Sequence, residues 1–237
     1  MPGCPIDFAF EVFAKRDLGD LPEVTGAPEW LVVSMHHRAE EPDLFELAPE
    51  LEQELDRAAR ASLRAAPFLY RVCLSPDSRP DEDAHLQFAI PIAAGLAEAT
   101  DGVVLDRAAR RVLDPESFRQ TCAPETECHL SYALGSGAVE TRGLTKFGFL
   151  ELRLPLPGVA PADNGVAFAV IDAMCGALLA GAFVPGRQFE LCGGRWRIEE
   201  CGDHLEVIAG DVPIAQVLAD LSEEYGELSV EPEPGDA

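Results

Sequence analysis

The chain has 237 residues, 47% of them hydrophobic, and a formal net charge of −24 at pH 7. This length fits one large domain or two small ones. The acidity disfavours nucleic acid and anionic membranes as partners and favours a basic protein, although solubility or a salt-adapted host explains the same charge more simply. The N-terminus has no basic region before a long apolar run, so we expect no secretory signal.

Cysteine and lysine usage is informative about the compartment and the host. The seven cysteines are an odd number, and none forms a C-x-x-C pair. We therefore expect free, mostly buried thiols in a reducing cytoplasm. The only lysines are Lys15 and Lys146, and we attribute the preference for arginine to a high-GC bacterial coding bias.

The first third of the chain predicts a β-α-β unit. Residues Ile6–Phe13 alternate loosely and suggest an edge strand, and Trp30–Met35 reads as a buried strand. Apolar residues at helical spacing predict one helix over Leu44–Ser62, with Pro49 in its first turn. The strand Phe68–Leu74 follows. A crossover helix between two strands suggests that they pair in parallel.

The middle of the chain alternates short elements. Asp83 caps a predicted helix that runs to Thr100, is kinked at Pro91 and ends at Gly102. Further predicted elements are a strand at Val103–Leu105, a short helix beginning at Asp114–Glu116 and a strand at His129–Leu134.

The stretch from Val139 to Pro185 is the predicted folding core. Alternating leucines between Leu150 and Leu156 indicate a strand, with a possible bulge near Gly148. The run Val166–Val184 has Asp172 as its only charge and predicts a long buried helix. A membrane span is rejected, because Asp172 is central and no basic flank is present. Asp172 is expected on an exposed stripe or paired with an arginine.

The C-terminal third predicts an antiparallel meander around the Gly193-Gly194 turn, then a helix capped by Asp211. We predict an α+β fold: a mixed sheet with an N-terminal β-α-β unit, a long buried central helix and the C-terminal meander. Residues 1–227 are expected to form a single domain, with a possible subdomain break near 115–127. The acidic, Pro-rich tail 228–237 is expected to be disordered.

Acidic residues crowd the first predicted helix and its entry. They are Glu40, Glu41, Asp43, Glu46, Glu50, Glu52, Glu54 and Asp56. A second group lies in the loop after the next strand. If the two strands are parallel neighbours, both groups lie at one sheet edge. We therefore predict a binding surface for a basic partner. It comprises Glu40, Glu41, Asp43, Asp81, Asp83, His36 and His37.

Two metal sites are alternatives. Carboxylates and imidazoles suit Zn, Mn or Fe, and could come from His36, His37, Asp81, Asp83 and His85. Surface histidines beside a helix-capping acidic run explain this pattern equally. Zinc could instead be held by Cys122, Cys128 and His129, with Cys201 or His204, but the tight pairs of structural zinc are missing.

Two segments resemble blocks found in uncharacterised bacterial α+β proteins. They are TRGLTKFGFLEL (Thr141–Leu152) and LAEATDGVVLD (Leu96–Asp106). The resemblance implies a bacterial, cytoplasmic, single-chain α+β protein. It carries over no catalytic residue, because no activity is established for those proteins.

Two function hypotheses follow. The chain contains no GxSxG, GxGxxG, Walker A or HExxH motif, so we assign no catalytic residue and no cofactor. The first hypothesis is a non-enzymatic binding protein, such as an immunity-type inhibitor or adaptor, that docks a basic partner. The alternative is a metal-dependent hydrolase, which requires the named His and Asp side chains to converge in one cleft.

Overall fold

The computed structural model describes residues 6–19, 28–75, 84–121, 129–135, 137–182, 186–191 and 193–225. The chain divides into an N-terminal unit, residues 2–131 and 142–149, and a C-terminal unit, residues 132–141 and 150–237. Each unit contains one sheet. Helices accompany both sheets, which confirms the α+β class. The change of unit at residue 131 lies just beyond the predicted break at 115–127.

The sheet of the N-terminal unit has five antiparallel strands. They are β1 (Phe8–Ala14), β2 (Leu31–His37), β3 (Phe68–Leu74), β4 (Val103–Asp106) and β5 (Arg111–Leu113). Their order is β2-β3-β1-β4-β5, so β1 is the central strand and the prediction of an edge strand was wrong. Both sides of β1 are buried, and its sequence therefore lacks the clear alternation of a half-exposed strand.

The strands β2 and β3 pair antiparallel, which contradicts the predicted parallel pairing. The amide of Arg38 donates to the carbonyl of Pro67 at 2.9 Å, so the chain re-enters the sheet beside the point where it left. Helices between strands favour a parallel crossover only when the connection traverses the sheet from end to end. This connection does not.

The single long helix predicted over Leu44–Ser62 is three short ones. A 3-10 helix (Pro42–Phe45) precedes α1 (Pro49–Glu54) and α2 (Arg57–Ala65). Proline opens the first two segments, because its fixed φ suits a helical start and it has no amide to donate. Asp56 caps α2 by accepting from the amide of Ala59. The buried leucines still converge on Phe13 of β1.

The two sheet faces carry different helices. Phe13 and Glu11 of β1 lie on one face, named here the Phe13 face, which α1 and α2 partly cover. Phe10 lies on the other, the Phe10 face, and its ring meets Phe118 of α4 (Pro115–Thr121). The longer helix of this face is α3 (Ala84–Ala99), which keeps Pro91 in its interior as predicted.

The end of α3 differs from the prediction in one residue. Asp101, not Gly102, adopts the left-handed conformation, with φ 53°. Gly102 is needed for another reason: a Cβ there would approach the carbonyl oxygen of Phe13 to 2.7 Å. The glycine therefore allows the close passage of the central strand.

The sheet of the C-terminal unit has six strands. They are β6 (Ser131–Gly135), β7 (Ala138–Arg142), β8 (Glu151–Pro155), β9 (Gln188–Leu191), β10 (Gly194–Cys201) and β11 (His204–Ala209). Strands β9, β10 and β11 form the predicted antiparallel meander. The parallel pairing of β11 with β8 makes this sheet mixed, as predicted.

Two helices accompany this sheet, α5 (Asn164–Leu179) and α6 (Ile214–Tyr225). The predicted central helix is present, but it ends at Leu179 rather than Val184 and is buried on one side only, which includes Val170, Ile171 and Met174. Asp172 lies on an exposed stripe, as expected. The segment Pro161–Leu179 is long and apolar enough to cross a membrane by length and composition alone. In the structure α5 contacts β8, β9 and α6.

Candidate functional site

The acidic segment, defined here as residues 40–50, is a strongly charged and exposed part of the described N-terminal unit. Its exposed carboxylates Glu40, Asp43, Glu46 and Glu50 have no cationic group within 4.0 Å among the described residues. The carboxylates that follow them are neutralised by arginine: Glu52 pairs with Arg64, and Glu54 pairs with Arg110 and Arg142. Unbalanced negative charge is therefore concentrated between Glu40 and the first turn of α1.

The end of β2 connects this segment to the sheet. The amides of Glu40 and Glu41 both donate to the carbonyl of His37, at 3.0 and 2.9 Å. The Glu41 carboxylate lies 2.7 Å from Nδ1 of His36, whose Nε2 lies 2.9 Å from the hydroxyl of Ser34. Glu41 is thus held against the strand, and the predicted proximity of His36 to the first acidic group is confirmed.

The two predicted acidic groups do not leave the sheet at a common edge. Because β2 and β3 are antiparallel, His37 at the end of β2 is opposite Phe68 at the start of β3. The loop that contains the second group leaves β3 at Leu74, beside the start of β2. The parallel pairing on which the predicted closeness of Asp81 and Asp83 to Glu40 depended is therefore wrong. Asp81 and Asp83 themselves lie outside the described residues.

The histidines of the alternative metal site also separate. His36 shares the Phe13 face with Leu69, whereas the ring of His85, on α3, meets Phe8 on the Phe10 face. His37 packs its ring edge against Phe68. The sheet lies between His36 and His85, so the two cannot bind one metal ion. Within the described ranges, no group of three His, Cys, Asp or Glu side chains is arranged to hold a metal.

The sequence predictions missed two buried charged residues, Lys146 and Asp106, and named His85 and His129 only as alternative metal ligands. Lys146 and Asp106 form an ion pair of 2.6 Å on the Phe10 face, with side chains 0% and 1% exposed. His85 and His129 are equally buried. We call these four residues the buried polar cluster. A carbonyl can only accept, so His85 Nε2 carries a proton and donates to the carbonyl of Lys146 at 2.6 Å.

Local structure explains how Lys146 reaches the cluster. It lies in a 3-10 helix (Leu144–Phe147) between Gly143 and Gly148, both left-handed, with φ 107° and 73°. This turn, not a simple bulge, interrupts the alternation before β8. A Cβ on Gly143 would approach the carbonyl oxygen of His129 to 2.6 Å and Lys146 Cε to 3.1 Å. Glycine is therefore required there on two grounds.

Burial sets the protonation state of His129. Desolvation, followed by the nearby Lys146 ammonium, lowers the pKa of His129 to about 3. The imidazole is therefore neutral at physiological pH and does not add a charge beside the lysine. With every member of the cluster closed off from solvent, the arrangement suits a structural role. No substrate can reach Lys146 in this conformation.

The Phe13 face carries a second buried charge. Glu11 of β1 is 2% exposed, and its two carboxylate oxygens lie 3.2 Å from Arg71 Nε and 2.6 Å from Arg107 Nε. The arginine side chains remain about one-third exposed. The two guanidinium groups flank the buried carboxylate of the central strand. Its negative charge is therefore balanced by two positive charges.

The C-terminal unit offers a polar cluster and a cavity. The hydroxyl of Tyr132 donates to the carboxylate of exposed Asp172. Burial raises the pKa of Cys175 to about 12, which keeps this thiol protonated and a poor nucleophile. Cys73, Cys175 and Cys201 are free, but only Cys175 is buried, so the expectation of mostly buried thiols is not met among these three. The predicted zinc ligands Cys122 and Cys128 lie outside the described residues.

The cavity has a volume of about 320 Å³. It is lined by Gly193, Gly194, Arg195, Gly210, Asp211, Val212, Val217, Asp220 and Leu221. Packing within the unit explains why position 194 is a glycine, because a Cβ on Gly194 would lie 2.7 Å from the Trp196 ring. Arg195 is already 3.3 Å from Glu190. The lining therefore assembles no set of convergent catalytic groups.

Comparison with protein-family models, curated proteins and solved structures finds no match to this chain.

Proposed function

We propose that this protein is an acidic binding module that docks a basic protein partner through the acidic segment of the N-terminal unit. The observation that carries the proposal is the row of exposed carboxylates, Glu40, Asp43, Glu46 and Glu50, without a cationic partner among the described residues. The formal net charge of −24 adds a long-range field of the same sign. Such a field speeds encounter with a cationic surface at low salt.

The burial of the ionisable groups supports binding over catalysis. Lys146, Asp106, His85 and His129 form the densest group of reactive side chains in the described N-terminal unit, and all are closed off from solvent. The hydrolase alternative loses support for a separate reason, since His36 and His85 lie on opposite faces of the sheet. An immunity-type inhibitor or an adaptor remains the class that we favour.

The test compares two variants of equal charge. One replaces Glu40, Glu46 and Glu50 with Gln and Asp43 with Asn. The control makes the same kind of change at Glu190, Glu200, Asp211 and Asp220, exposed positions of the C-terminal unit. Each variant changes the net charge from −24 by four units, to −20.

Stopped-flow association with a short arginine-rich peptide is measured across a range of ionic strength. We expect the acidic-segment variant to associate several-fold more slowly, with a shallower salt dependence, and the control to retain most of the wild-type rate. Equal effects in the two variants would mean that only total charge matters and would overturn the proposed surface.

A further inference from the structure

We infer that β2 is an open strand edge that receives an extended, basic peptide segment of the partner by β-strand addition. This inference rests on the proposed function and specifies how the partner docks. It begins from the sheet order, in which β2 is a terminal strand of seven residues. All seven pair with β3 in an unbroken register. The strand is therefore long and regular, and among the described strands it pairs on one side only.

The hydrogen-bond phase of β2 determines which backbone groups point outward. The amide of Arg38 donates to Pro67 and the carbonyl of Trp30 accepts from Ser75, so the even-numbered residues are bonded toward β3. The odd-numbered residues direct their backbone groups away from β3. Among the described residues, nothing pairs with the amides and carbonyls of Val33 and Met35. These two residues can form up to four hydrogen bonds with an added strand.

The strand lacks the devices that normally protect an edge. Proteins blunt such edges with proline, lysine, bulges or very short strands. The sequence LVVSMHH contains neither proline nor lysine, and its register has no bulge. Side chains on both of its faces are partly exposed, with Val32 57% exposed. By contrast β5, at the other edge, has three residues.

Charge identifies the occupant. Glu40 and Glu41 lie in the turn that directly follows β2, and the rest of the acidic segment comes after them. A second copy of this chain would bring another formal charge of −24 to the same edge, which like-charge repulsion opposes. The fitting ligand is an extended segment whose alternate side chains cover Val33 and Met35, and whose arginines or lysines lie beside Glu40 and Asp43.

The probe is a short synthetic peptide in which two arginines precede alternating threonine and valine. A second peptide has the same sequence and charge but is N-methylated at every threonine and valine, so these residues cannot donate backbone hydrogen bonds. Affinities are measured by fluorescence anisotropy at low and physiological salt. Against wild-type protein, we expect the N-methylated peptide to bind about tenfold or more weakly.

Two protein variants isolate the edge. Met35→Pro removes an outward amide that β3 does not use, a place where an edge strand tolerates proline. Met35→Leu keeps that amide and a similar volume. We expect the proline variant to lose about tenfold or more in affinity for the unmodified peptide and the leucine variant to match wild type. Circular dichroism checks that each variant is folded. If Met35→Pro unfolds, the peptide pair still decides the question on the wild-type protein.

The outcomes separate the two proposals. If both peptides bind equally well and the acidic-segment variant weakens both, the acidic surface stands and strand addition is overturned. If the N-methylated peptide binds more weakly than the unmodified one, while the acidic-segment variant binds like wild type, strand addition stands and the acidic surface is overturned. If neither peptide binds, both are overturned.

Discussion

The only two lysines of the chain each pair with an aspartate in the N-terminal unit, under opposite conditions. Lys15 and Asp101 lie 3.1 Å apart with side chains 61% and 70% exposed, whereas Lys146 and Asp106 lie 2.6 Å apart and are almost completely buried. The same two chemical groups form both pairs. Water stabilises the exposed charges whether or not they meet, but the buried charges depend on each other. Burial therefore decides which pair the fold requires.

The largest expected effect comes from breaking the buried pair. Asp106→Ala leaves an ammonium group in the core without its partner, and we expect a loss of about 3–5 kcal/mol in the free energy of unfolding. Urea denaturation followed by circular dichroism measures this. The matched control is the double variant Asp106→Leu with Lys146→Met, which removes both charges and should recover most of the loss. A loss below about 1 kcal/mol in the single variant would contradict the structural role.

A change of pH tests the same region without altering the aspartate or the lysine. His129 has a folded-state pKa of about 3, below the ordinary value near 6.5 of an unfolded chain. Between these values the unfolded state binds more protons, so stability falls as the pH decreases from about 6.5 toward 3. From pH 7 to pH 5 we expect His129 to account for a loss of about 2 kcal/mol.

The control for this prediction is His129→Gln, which cannot titrate. Its free energy of unfolding should change less over the same pH interval than that of the wild-type protein, by about the amount assigned to His129. If the free energy of unfolding of the two proteins changed equally with pH, the pKa of His129 would not be lowered in the folded state, which would contradict the prediction.

The smallest effect is expected at the exposed pair. Lys15→Met should change the free energy of unfolding by no more than a few tenths of a kcal/mol, because two well-hydrated side chains gain little from contact. The same urea titration provides the measurement. A loss comparable to that of Asp106→Ala would remove the distinction between the two pairs.

Sequence reasoning succeeded where the pattern is local. The strand Phe68–Leu74, the meander and the central helix were predicted from alternation and apolar runs, and all three are present. It failed where pairing is decided by tertiary contacts, as with the direction of β3 relative to β2. No residue type in either strand encodes that direction.

The buried cluster could not be predicted for a similar reason. Asp106 and Lys146 lie forty positions apart in the sequence, and no residue pattern around either one identifies the other as its partner. The available signal was a lysine between Leu144 and Phe147 in a chain with only two lysines. His85 was singled out as a metal ligand, yet its ring donates to a backbone carbonyl.

The route of the chain through the N-terminal unit has a consequence for its synthesis. Residues 142–149 belong to this unit, although the chain on either side belongs to the other. A nascent chain that has emerged only as far as residue 131 contains Asp106 and His85 but not the lysine that neutralises one and the carbonyl that accepts from the other. The Lys146–Asp106 pair and the hydrogen bond of His85 can therefore form only after the ribosome has released residues 142–149. By then it has also released β6 and β7, the first two strands of the second sheet.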